Sequence, residues 1–134
     1  NPSLFTINTL MNIDKQISYW ENGAKEDFAA AQSLLEKRHF RHSLFLAHLA
    51  IEKLLKAHVV RQTGDIPPKI HNLIRLAQIA KLKLSANQEQ FLREFGLYQL
   101  EGRYPDSEQI PFDAVSAKEE MSKAGEMIKW LTSL

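Results

Sequence analysis

Apolar residues recur along this chain every three or four positions, and the strict alternation of a half-buried strand is absent. Ile17, Trp20, Ala24, Phe28, Ala31, Leu34 and Leu35 form one stripe, with Glu21, Lys25, Glu26 and Glu36 on the other side. This predicts a first long helix over Asp14 to Arg38. After a break at residues 37–40, Leu44, Ala47, Ile51, Leu54, Leu55 and His58 form a second stripe, which predicts a helix over Arg41 to Gln62. Gly64 stops it, and Pro67 and Pro68 keep it stopped. A short third helix near Asn72 to Lys81 carries Leu73, Leu76, Ala77 and Ala80. Ser85 followed by Gln88 has the form of a capping box and predicts a fourth helix over Ala86 to Glu101, ended by Gly102. Residues 102–115 read as loop. Ser116 with Glu119 repeats the capping pattern before a last helix bearing Met121, Ala124, Met127, Ile128 and Leu131.

The pattern predicts an all-α fold: an antiparallel up-and-down bundle of four long helices plus a short extra helix. Its first two helices pair as a hairpin about 33 to 38 Å long at ~1.5 Å per residue. With 134 residues, 44% of them apolar, the chain suits a single domain over residues 1–134, residues 1–13 being an N-terminal extension. There is no cysteine, which removes disulfides, thiolate nucleophiles and cysteine-ligated metals and is compatible with a cytoplasmic location. Seventeen basic side chains face 16 acidic ones, so a strongly basic nucleic-acid surface is excluded and partners must be read from local charge. No apolar run is long enough for a membrane span, and residues 1–11 lack the form of a secretory signal. The chain starts at Asn1, which leaves room for an upstream segment.

Two places hold candidate chemistry. His48, Glu52 and Lys56 are successive i, i+4 neighbours, with Arg41 two turns earlier. Such a stripe can bind phosphate or order a proton-transfer pair. It can equally be a solvated face with one Glu–Lys pair worth about 0.2–0.5 kcal/mol. Neither His39 with His42 nor His48 with Glu52 reaches the three protein ligands of a catalytic zinc, and HExxH is absent, so no metal and no cofactor are expected. The sequence also lacks a GxSxG elbow, a P-loop and a GxGxxG turn. The second place is Gly102-Arg103-Tyr104-Pro105-Asp106. Gly102 permits a left-handed helix exit, Pro105 extends Tyr104, and Asp106 can accept backbone hydrogen bonds. Arg103 at this corner can clamp a phosphate or carboxylate beside Tyr104. Alternatively it ion-pairs with a bundle carboxylate such as Glu52 while Tyr104 packs inward.

Four ordered segments carry a family resemblance. Tyr19-Trp20 with Ala24 and Asp27 to Ala31, then His39 to Ala57 with its Glu52-Lys53 and Lys56-Ala57, look like the opening hairpin of a HEPN domain. Pro68-Lys69-Ile70-His71-Asn72-Leu73 is similar to the family's Pro-x-x-His-x-Leu connector, and Arg103-Tyr104-Pro105-Asp106 to its Arg-Tyr-Pro-Asp loop. The resemblance implies a helical bundle that dimerises and works near nucleotides or RNA. Some relatives are ribonucleases, often toxins, and others accompany a minimal nucleotidyltransferase. The ribonuclease branch uses Arg, four to six residues, then His. Here Arg103 is followed at those distances by Glu108, Gln109 and Ile110, so that motif is lacking. Arg41 and His48 match the spacing numerically, but in the wrong helix.

The resulting expectation is a noncatalytic homodimeric module binding nucleotide, RNA or a partner nucleotidyltransferase, within a toxin–antitoxin-like pair. Lys53, Lys56, His71, Arg103 and Tyr104 would bind the ligand, and Glu52 and Asp106 would act as structural ion-pair groups. The alternatives are a metal-independent ribonuclease with a displaced histidine, His71 or His48, and a purely structural dimerisation module. Trp20, Phe45 and Trp130 are the candidates for the subunit contact.

Overall fold

The computed structural model describes the backbone of residues 4–98 and 113–134 and the side chains of residues 12–98 and 113–134. Within them the helices are α1 (Leu4–Glu36), α2 (Phe40–Thr63), α3 (Leu73–Ile79), α4 (Ala86–Phe95) and α5 (Ala114–Ser133), and there is no strand among the described residues. The all-α reading holds. α1 is longer than the expected Asp14 to Arg38: its 33 residues span about 50 Å. Asp14 therefore lies inside the helix rather than at its start.

The α1–α2 hairpin is made by its turn. Arg38 adopts a left-handed φ of 65°, its N–H donates to Leu35 O, and the His39 N–H donates to Leu34 O. That pair of bonds is a Schellman motif. A non-glycine residue there costs about 1–2 kcal/mol, partly offset because the Arg38 guanidinium lies over the Phe40 ring at 5.4 Å. From this turn the helices run antiparallel. Ser43 Oγ donates to Ala31 O, Lys53 meets Asp27, and Arg61 meets Glu21. Small residues set the close approach: Ala24 and Ala31 on α1 and Ala47 and Ala50 on α2 are buried. At Gly23 an added Cβ would stand 3.1 Å from Lys53 Cδ. Gly64, with φ 69°, ends α2 and donates to Val60 O.

α2 is the central stave, packing against α1, α3 and α5. Its Leu44, Ile51, Leu55 and Val59 share a core with Leu73 and Leu76 of α3, Leu92 and Phe95 of α4, and Met121, Ala124 and Leu131 of α5. His58 sits on the buried stripe, as its spacing predicts, and its Nε2–H donates to the Leu131 carbonyl at 2.7 Å. Leu131 lies in the last turn of α5, where carbonyls have no partner within the helix, so the imidazole ties the end of α5 to α2.

Short polar motifs place the smaller helices. Asn72 caps α3 by accepting from Arg75 N–H, and a left-handed Lys81 closes it. Ser85 and Gln88 form the expected reciprocal box at the start of α4. The expectation for α5 needs correction, because its N-cap is Asp113 rather than Ser116. Asp113 Oδ1 accepts from the Ser116 N–H at 2.7 Å, and that bond holds its carboxyl below the usual aspartate range.

Candidate functional site

Glu52 is the side chain around which polar groups gather. It projects from the middle of α2 into the interior and is 4% exposed, a position that a carboxylate tolerates only when paired. One turn on, Lys56, itself 6% exposed, places Nζ 3.1 Å from Glu52 Oε2. The same ammonium lies 5.3 Å from the centroid of the Trp20 ring on α1, which gives it a second favourable contact. The other carboxylate oxygen is taken from outside the helix. The chain after α2 turns at Pro68, whose carbonyl accepts from Ile70 N–H, and His71 then reaches Glu52 Oε1 with Nδ1 at 3.0 Å. Since a carboxylate only accepts, Nδ1 carries the proton. His48 Nδ1 stands 4.0 Å from that oxygen.

Beneath this cluster the aromatics close the core. His48 stacks on Phe95 at 6.4 Å, and Phe95 meets Phe91 and Tyr98 at 4.9 Å each. Glu52, Lys56 and His48 are therefore walled off from water, whereas the His71 side chain is 43% exposed. His71 also lines a cavity of about 460 Å³ between the connector and α4, with Arg93 and Leu97 on its far wall.

The structure brings Glu52, Lys56 and His71 together; the i, i+4 spacing predicts the first pair, and the contact with His71 is not among the expectations. Lys53 goes elsewhere: it pairs with Asp27 at 2.7 Å in the α1–α2 seam. Arg103, Tyr104 and Asp106 lie outside the described residues. His39 and His42 lie edge to face at 6.5 Å, and no group of three metal-binding side chains occurs among the described residues. Sequence reasoning missed Arg93 and the Trp20 contact with Lys56. Arg93 carries no signal beyond an i, i+4 pair with Glu89, and Trp20 shows as a member of the α1 stripe and a candidate subunit contact, with nothing that pairs it with Lys56.

The model of the HEPN domain matches residues 17–134. The chain belongs to the HEPN domain family. Solved structures agree with the fold. TT1696 from Thermus thermophilus is similar to this HEPN chain with a TM-score of 0.75 at 18% identity, over 88% of this chain and 97% of that one. ST0689, an archaeal HEPN homologue, is similar with a TM-score of 0.69 at 20% identity, over 87% and 95%. No curated protein matches this HEPN chain in sequence. No helix among the described residues is long and apolar enough to cross a membrane.

Proposed function

We propose that this chain is a noncatalytic, cytoplasmic HEPN module, acting as a homodimer that binds a nucleotide, an RNA end or a partner nucleotidyltransferase in a toxin–antitoxin-like pair. The observation that carries this reading is the buried Glu52 carboxylate, which fixes His71 through Nδ1 and leaves the rest of the ring at a cavity. A ring oriented by a buried acid is a preorganised contact for a phosphate or a base. In this reading the ligand's phosphate is bound by Arg103, whose guanidinium suits bidentate contact, together with its sequence neighbour Tyr104. Lys53 and Lys56 are each paired with a carboxylate and neither lines this cavity, so the reading does not use them as ligand contacts. Cleavage of RNA needs a group to accept the 2′-hydroxyl proton and another to protonate the leaving oxygen. The positions after Arg103 where the family's ribonucleases hold that histidine carry Glu108, Gln109 and Ile110.

The Glu52–His71 pair also supports a second reading, a ribonuclease with a displaced histidine, because an acid that orients an imidazole is the arrangement of many proton-transfer sites. One experiment separates the two. A fluorescent oligoribonucleotide is titrated in EDTA, and its length is checked after saturation. The expected result is saturable binding with intact RNA, weakened at least tenfold by Arg103→Ala with helicity unchanged. Cutting that His71→Gln abolishes would establish the ribonuclease. No binding of nucleotide, RNA or a co-expressed nucleotidyltransferase, together with a sharply lowered melting temperature for Arg103→Ala, would leave a structural module.

A further inference from the structure

The cavity beside His71 has polar walls of one kind. His71 and Asn72 come from the connector and Arg93 from α4, with Ile74 and Leu97 among its apolar walls. No carboxylate lines it among the described residues. Glu52 is held on the Nδ1 side of His71, and Glu89, one turn back on α4, takes one nitrogen of Arg93 at 2.6 Å. A guanidinium has five N–H donors, and the Arg93 side chain is 62% exposed, so donors are left for a ligand. Asn72 Oδ1 is engaged by the Arg75 N–H, which leaves its amide NH₂ as the remaining donor. His71 lines the cavity and spends Nδ1 on Glu52, so Nε2 is the ring nitrogen left for a ligand.

Three donor side chains without a lining carboxylate select an anion with several acceptor oxygens. Leu97, 54% exposed, adds an apolar surface of the kind a nucleobase covers. The volume, about 460 Å³, falls in the roughly 300–1,000 Å³ range of small-ligand sites. We propose that this cavity is a phosphate-monoester subsite, holding the terminal phosphate of a nucleotide, free or at an RNA end, between the Arg93 guanidinium and His71 Nε2. With Glu52 on one ring nitrogen, the other is the one that meets a phosphate oxygen. The proposal rests on the nucleotide-binding reading above and assigns Arg93 a role that reading does not contain.

The test is calorimetric titration of the full chain with AMP, with adenosine, and with a short oligoribonucleotide carrying either a terminal phosphate or a hydroxyl. AMP is expected to bind at least tenfold more tightly than adenosine, and Arg93→Gln or His71→Gln to erase that difference. Arg93 is exposed, so its variant keeps the fold. If only the phosphorylated oligoribonucleotide shows the preference, and Arg93→Gln erases it, the subsite stands and its ligand is the RNA end. If ligands bind but Arg93→Gln leaves the phosphate preference intact while Arg103→Ala removes binding, the subsite is wrong and the nucleotide-binding reading survives. Absence of binding by every probe overturns both.

Discussion

Glu52→Ala lowers the unfolding free energy by about 3–5 kcal/mol, the cost of leaving a buried partner charge uncompensated. The magnitude follows from burial. Lys56 Nζ has Glu52 Oε2 at 3.1 Å and the Trp20 face at 5.3 Å, and its side chain is almost wholly covered. Without the carboxylate, that ammonium must either lose its proton in the interior or pull the helix seam open to reach water. Adding Lys56→Met restores at least half of the loss, because a thioether of similar length fills the space over Trp20 without a charge. Urea unfolding of the single and double variants measures both quantities. A single-variant loss under about 1 kcal/mol would place the pair in water and remove the basis for a preorganised His71.

Phe95→Ala is the second large effect, about 3–5 kcal/mol by the same measurement. Phe95 is buried at the end of α4, stacks with Phe91 and His48 and meets Tyr98 edge to face, under the Glu52 cluster. Truncating it opens a cavity that the surrounding helices fill only in part, and it detaches the wall on which Arg93 and Leu97 stand. A loss under about 1 kcal/mol would mean that the stack is not part of the folded core.

Much of this architecture was legible because it is written locally. Ser85 and Gln88 are three residues apart and build the cap their types predict, and Gly64 ends α2 in the left-handed turn that glycine favours. The misplaced start of α5 has a local cause too. Ser116 and Glu119 have the right spacing, but Asp113 stands three residues earlier, and its carboxylate takes the Ser116 N–H. α1 extends to Leu4 although Asp14 resembles a start, since a capping residue type does not forbid a helix that continues through it.

The site was legible only as pieces. Spacing along α2 places Glu52 beside Lys56, but nothing in it brings in His71 from 19 residues away. That meeting depends on the turn at Pro68 and on the packing of α3 against α2. Lys53 and Lys56 look equivalent in sequence, yet a three-residue offset turns one toward Asp27 and the other toward Glu52. Arg93 was invisible as a site residue because an exposed arginine four residues after a glutamate is ordinary on any helix.

The central claim is that a buried acid fixes His71 with Nδ1 inward and Nε2 offered to a phosphate. Long-range nitrogen–proton NMR correlations of the His71 ring, recorded before and after addition of AMP, read both nitrogens directly. The account predicts a protonated Nδ1 in the free protein and an Nε2 resonance that moves to the protonated position with AMP. A free protein with the proton on Nε2 and a bare Nδ1, or an Nε2 resonance indifferent to saturating AMP, would contradict it.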